Sequence, residues 1–280
     1  MDIQLIADSC CDVTPELKKE WGVQIVPLVL RAGEREFLDD EDLDTNELLE
    51  AMEASSTGAG SACPSPEAYA VHMRAAERSI VVTLSGKMSG SYNAAAIARD
   101  MVLEKHPEKE IVVLDSKSAT AGQCLLTMSL RRWIDAGHAF DEVVRWGEEL
   151  VERMTTLFVL ESLDNMVKNG RIAKAAGLVS TVLSLRPIMS GNHGDIICLH
   201  KIRGTANAMK KLVQIVAEQT RDAAARSRDL VITYCACAGR ADQLRAELLE
   251  KCPALRDVLL IPTRGVATVY ASRGGVVAAF

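Results

Sequence analysis

Aromatic residues are scarce, at 4% of 280 residues, which leaves little material for the stacking platforms that hold single-stranded nucleic acid. A basic excess is lacking too: Asp and Glu number 38 against 32 Lys and Arg, a net charge of −6 that argues against a broad nucleic-acid surface. No apolar run approaches the ~18 residues of a membrane span. The start, Met1-Asp2-Ile3-Gln4-Leu5, has neither the basic flank nor the apolar stretch of a secretory signal. The cytoplasm is therefore the expected location. No His-x-x-x-His or paired-cysteine zinc spacing occurs, and no metal is expected. His72, His106, His138, His193 and His200 are scattered, mostly at turn or surface positions. The acidic run Asp39-Asp40-Glu41-Asp42 lacks calcium-loop spacing and reads as a solvated loop.

Apolar material is ample. Hydrophobic residues make up 48% of the chain, enough for one large domain or two of ordinary size at ~150 residues each. Disulfides are not needed to hold such a core, so the eight cysteines are expected as free thiols. Cys10-Cys11, at a strand-to-helix turn, and Cys235-Ala236-Cys237, read as sharing one strand face, are the two candidates for redox chemistry. Burial as small hydrophobes explains both pairs as well.

The first half alternates strands and helices. Strands are expected at Ile3–Ala7, Ser79–Leu84 and Glu110–Leu114, and an extended apolar run at Val23–Leu30. Helices are expected after Thr14-Pro15, after Asp44 with Glu47 as capping box, over Ser65–Arg78, to Lys105, over Ser118–Ala136 and over Phe140–Met154. Residues 55–62 read as a small polar loop. This spacing implies βαβ crossovers and a largely parallel sheet.

The second half reads as α+β. A strand at Leu157–Leu160 precedes a short helix capped by Ser162 and ended by Gly170, then a helix over Ala173–Leu185. Two strands flank Gly191-Asn192-His193-Gly194, a hairpin signal. Thr205 opens a helix to about Arg226, and further elements follow at Leu230–Cys235, Ala241–Lys251, Val258–Ile261 and Val276–Ala279. The expected division is residues 1–160, α/β, and 161–280, α+β.

The loop Ser85-Gly86-Lys87-Met88-Ser89-Gly90-Ser91 follows a strand and opens a helix. Ser89 is placed to cap that helix, whose first N–H groups and dipole favour an anion. It is not a phosphate-cradling Gly-Lys-Ser/Thr loop, and an ordinary capped helix explains the same letters. The hydroxyl-rich stretch ending at Ser61 converges on the same sheet edge, where parallel sheets place ligands.

Six segments in order resemble the DegV family of bacterial lipid-binding proteins. They are Asp8-Ser9-x-x-Asp12, Gly60 to Pro66, Leu84-Ser85 with Ser89-Gly90-Ser91-Tyr92, Asp115-Ser116-Lys117-Ser118, Lys168 to Ile172, and Lys201-Ile202-Arg203-Gly204. The resemblance implies a two-domain fold with a long-chain fatty acid between the domains. It implies that Ser61 and Ser89, beside Gly90, hold the carboxylate, with Arg171 near the head group and Arg203 at that end and toward a kinase partner. In such a pair the kinase phosphorylates the bound acid and this chain is carrier, not enzyme; transient contact with a membrane surface fits the same role. The chain departs from the family pattern at Gly86-Lys87, which sets a cation beside the carboxylate site, at Cys63 in place of Gln, and in lacking the C-terminal Thr-His-x-Gly-Pro-Gly. Tyr270 stands at or near the missing His.

A tail needs an apolar slot. At ~0.8 kcal/mol per buried CH₂, about 14 methylenes contribute roughly 11 kcal/mol before entropy costs. The Ala173–Leu183 segment has the composition to line such a slot, and helix–sheet packing needs the same composition. Two other readings stay open: a hydrolase or transferase using Ser61 or Ser89 as nucleophile on a lipid-like substrate, for which no neighbouring base is evident, and a thiol redox protein.

Overall fold

A computed structural model describes residues 3–172, 185–221 and 228–280. Strand β1 (Ile3–Asp8) leads into helix α1 (Pro15–Trp21), where Thr14 accepts from the Leu17 N–H and Gly22 closes the helix at φ 57°. Strand β2 (Val23–Val26) then runs parallel to β1.

The expected single run from Val23 to Leu30 is broken. Pro27 cannot donate to a ladder, and the chain changes sheets there. Strand β3 (Val29–Ala32) pairs antiparallel with β4 (Arg35–Leu38). Helix α2 (Thr45–Ala54) follows; Asp44 caps it, but the Glu47 carboxylate turns to Arg35 and does not complete the box.

A second correction falls on the stretch expected to be loop. Ala59–Ala62 is strand β5, paired to β3 with Ser61 opposite Leu30. Its small residues have weak strand propensity, and its neighbour supplies the ladder.

Helix α3 (Pro66–Arg74), strand β6 (Arg78–Thr83), helix α4 (Ser91–Lys105), strand β7 (Glu110–Asp115) and helices α5 (Ala121–Asp135) and α6 (Phe140–Arg153) complete the first half. Helix α3 stops short of the expected Arg78, which opens β6 instead. The four parallel strands lie in the order β2-β1-β6-β7.

The change of sheet falls at Thr156, since β8 (Thr156–Val159) already belongs to the second sheet. After α7 (Asp164–Lys168), the expected helix over Ala173–Leu185 lies outside the described residues except for Leu185, which opens β9 (Leu185–Asn192). Strand β10 (Asp195–Arg203) returns antiparallel across the two-residue turn His193-Gly194; both have positive φ, as a tight hairpin requires.

Helix α8 (Thr205–Gln219) has Gly204, not Thr205, at its cap, and the Thr205 hydroxyl donates to Glu161. Its expected extension reaches residues 222–227, outside those described. Strand β11 (Arg228–Tyr234), helix α9 (Ala238–Lys251), strand β12 (Leu255–Pro262), helix α10 (Gly265–Ala271) and strand β13 (Val276–Ala279) follow. The six-stranded mixed sheet has the order β10-β9-β8-β13-β11-β12. Helix α10 was not anticipated.

The fold is mixed α/β: the parallel sheet, the separate mixed sheet and a small three-stranded antiparallel sheet, β4-β3-β5. One large core joins the two larger sheets through α5, which packs on strands of both. Cys11, Cys124, Leu126 and Val277 belong to that core. No helix among the described residues is long and apolar enough to cross a membrane.

Candidate functional site

The Asp8-Ser9-x-x-Asp12 segment turns out to be scaffolding. Asp8, fully buried at the end of β1, accepts from the Leu84 N–H at 2.8 Å, the Gln123 amide at 3.0 Å and the Cys10 N–H at 3.2 Å. It thereby fixes the start of the Ser85–Ser91 loop. Burial outweighs these bonds and raises its pKa to about 6. Ser9 accepts from the Leu28 N–H at 3.0 Å, joining the first sheet to the small one.

Asp12 accepts from the Arg264 N–H at 2.6 Å, and Asp39 from the Gly265 and Val266 N–H groups at 2.8 Å each. These carboxylates hold the start of α10. Asp39, expected on a solvated loop, is 2% exposed, and burial holds its pKa and that of Asp12 above the ordinary carboxylate value. Gly265 is required: a Cβ there would lie 2.4 Å from the Leu30 side chain and 2.5 Å from Asp39 Oδ1.

These anchors bring Tyr270 to Ser61, with the hydroxyls 3.1 Å apart. The strand carrying Ser61 is pinned from α7. Asn165 accepts from the Ala59 N–H and donates to Val269 O, and Asn169 donates to Ala59 O at 2.7 Å. Nothing in the sequence marked Asn165 or Asp39 for this part, and the family-like segments that contain Asp12 and Asn169 did not say what these residues hold; their part is a tertiary contact, not a local pattern.

Ser89 accepts from the Ser91 N–H at 3.2 Å and lies 3.1 Å from the Ser91 hydroxyl, while Gly90 occupies the cap position of α4. Arg171 donates from Nε to Met88 O at 3.0 Å and from Nη1 to Asn169 O. Its guanidinium straps the Met88–Ser89 turn to the end of α7.

Ser61, Ser89, Arg171 and Tyr270 all face one cleft of about 840 Å³, its open mouth included. The rest of the lining is mostly apolar, from Leu28, Leu84, Phe158, Leu160, Met166 and Val277. Cys10, Thr120 and Thr156 also reach it, as does Ser118 of the Asp-Ser-Lys-Ser segment.

Three other residues sit away from the cleft. Lys87, expected beside the carboxylate site, bonds Asp195 across the hairpin at 2.8 Å. Arg203 is exposed at the end of β10 and is absent from the cleft wall; Gly90 also lies outside that wall.

The cysteine candidates change character. Burial and the neighbouring Asp8 and Asp12 push the Cys10 thiol well above its ordinary value, opposite to the lowering expected at a helix start. Cys235 and Cys237 do not share a strand face: β11 ends at Tyr234, Ala236 turns at φ 48°, and Cys237 opens α9.

The chain matches the family model described as "Uncharacterised protein, DegV family" over residues 2–280. A DegV domain-containing protein of Streptococcus pneumoniae is 35% identical over 280 residues, covering 98% of this chain and 97% of its own. A DegV-family crystal structure from Ruminococcus gnavus, described with vaccenic acid, is 36% identical with a TM-score of 0.92, covering 99% of both chains. The Streptococcus pneumoniae Fatty Acid Kinase (Fak) B3 protein, loaded with linoleic acid, is 33% identical with a TM-score of 0.87, over 100% of this chain and 99% of that one. A Eubacterium eligens DegV protein loaded with heptadecanoic acid is 28% identical with a TM-score of 0.89, over 99% of both. Matched along its whole length in sequence and in fold, this chain belongs to the DegV family.

Proposed function

We propose that this chain binds a long-chain fatty acid in the cleft between residues 1–160 and 161–280, with the carboxylate at Ser61, Ser89 and Tyr270. The observation that carries the reading is the lining itself: hydroxyls and a guanidinium on an otherwise mostly apolar cleft. Hydrogen bonds to a charged group contribute roughly 1.5–3 kcal/mol each and fix orientation, while the buried tail supplies most of the affinity. Arg171 acts chiefly by holding the Met88–Ser89 turn and by its positive charge. The resemblance to the vaccenic, heptadecanoic and linoleic acid complexes supports the same ligand class.

The reading includes a carrier role, in which the acid is presented to a kinase subunit. The likeness to the Fak B3 protein favours it. The exposed position of Arg203 suits a contact with that partner better than one with the ligand. The alternative, a serine nucleophile, has less support: the hydrogen-bond partners of Ser61 and Ser89 among the described residues are Tyr270 and Ser91, not a general base.

Extraction of the purified protein under denaturing conditions, followed by mass spectrometry, is expected to release about one long-chain acid per chain, the occupancy of a single enclosed cleft. A lipid-free protein that also fails to take up added palmitate overturns the reading.

A further inference from the structure

A second concave site lies at the far end of α5, away from the acyl cleft. From Thr120 at the cleft to Ser129 at this basin the helix rises about 14 Å. Four arginines surround it: Arg132, Arg153, Arg228 and Arg256, with Asp229 as the acidic side chain among the described residues of its wall, beside the last residue, Phe280. In a chain of net charge −6, four arginines against one aspartate and the terminal carboxylate of Phe280 leave a local excess of two positive charges.

Asp229 is already spent. Arg256 donates to it from Nε at 3.0 Å and from Nη2, and Arg132 from Nη1. The nearby acids are spent as well: Asp135 pairs with Arg131, Asp257 with Arg245 at 3.7 Å, and Glu152 with Lys117 and His193. Among the described residues, no carboxylate pairs with Arg153 or Arg228. Arg153 and Arg228 thus both line a concave surface with no described carboxylate on either fork, and an unfilled guanidinium fork suits the paired oxygens of a phosphate. Leu125, Leu150 and Trp133 add apolar surface to the lining, and Trp133 is braced edge-on by Trp146 at 5.6 Å.

We propose that this basin is a ligand site for a diphosphate-bearing anion, held by Arg153 and Arg228. Two sources share that chemistry, an inorganic polyphosphate and a nucleotide whose ring would rest on the Trp133 wall. Calorimetric titration with inorganic pyrophosphate and with ADP separates them. Saturable binding of both with equal affinity assigns the phosphates alone, and tighter binding of ADP assigns the ring to Trp133.

Arg153→Gln with Arg228→Gln is expected to weaken pyrophosphate binding by about tenfold or more, from the loss of charge-assisted bonds. Melting temperature and fatty-acid content should not move, because no described carboxylate pairs with either side chain and neither lines the cleft. If that double variant does not fold, the wild-type salt series decides: affinity should fall steeply as ionic strength rises roughly tenfold. Absence of saturable binding, binding insensitive to salt, or equal affinity in a folded double variant overturns the proposal. None of these outcomes bears on the acid in the cleft, whose content is measured separately.

Discussion

Ser61 and Tyr270 lie 3.1 Å apart, while Ser89 is bonded to Ser91 and not to either of them. The three hydroxyls therefore do not act alike when removed. Ser61→Ala and Ser89→Ala are each expected to weaken acid binding by about 1.5–3 kcal/mol, with little change in melting temperature. Ser61→Ala combined with Tyr270→Phe should lose less than the sum of its parts, because each single change already leaves the other hydroxyl misdirected. Ser61→Ala with Ser89→Ala should be closer to additive. Titration of a fatty acid into delipidated variants gives both cycles; additivity in the Ser61/Tyr270 pair would show that the carboxylate does not sit between them. Arg171 differs in kind. It bonds two main-chain carbonyls, so Arg171→Ala should lower the melting temperature of ligand-free protein as well as the affinity. It should also cost the free acid more than its methyl ester, since only the acid carries the charge. Unchanged melting would remove the strap.

At the scale of elements, the site depends on how α10 is held. Asp39 accepts from two N–H groups at its start, and Asn has only one accepting oxygen. Asp39→Asn should cost about 1–3 kcal/mol of stability for the orphaned donor and weaken acid binding through Tyr270; intact affinity in a destabilised variant would show that α10 does not position the head group. The end of β1 gives a pH prediction. Burial raises the Asp8 pKa from 3.8 to about 6, so the folded state binds this proton more tightly than the unfolded chain. Its contribution is fully present at low pH and is lost as pH rises through the folded pKa, a difference of about 3 kcal/mol. Urea unfolding of wild type minus that of Asp8→Asn should therefore decline between pH 4 and 7; a flat difference contradicts it. The regular elements were legible because their signals are local. The Thr14-Pro15 start, the Gly22 stop and the His193-Gly194 hairpin each act within a few residues. Strand β5 was not, because Ala59-Gly60-Ser61-Ala62 has no strand propensity and gains its ladder from β3. Helix α10 was not, because its start is capped by Asp12 and Asp39 from far upstream. So Ser61, Ser89 and Tyr270 could be named from their resemblance to family positions, whereas Asp39 and Asn165 carried no signal, and Asp12 and Asn169 stood in family-like segments without a legible part.

At the scale of the whole molecule, the proposed ligand would touch both of the larger sheets. The cleft draws its wall from both: Leu28 and Leu84 from the first half, Phe158, Leu160 and Val277 from around the second sheet. An acid that fills it ties the halves together without changing either core, and a ligand present at about a thousandfold excess over its Kd adds roughly 4 kcal/mol to folded-state stability. The tail should dominate that gain. Across saturated acids of increasing length, binding free energy should improve by about 0.8 kcal/mol for each CH₂ until the chain fills the cleft, then level off. The head group contributes a constant offset, so the methyl esters should follow a parallel line displaced to weaker binding. Ser61→Ala should displace the acid line toward the ester line without altering its slope. Phe158→Ala enlarges the tail wall and should leave the head-group offset intact while changing the slope or the length at which binding levels off. Titrations of both series into delipidated wild type and these two variants test the separation. A slope that follows Ser61 but not Phe158 would place the acyl chain outside this cleft.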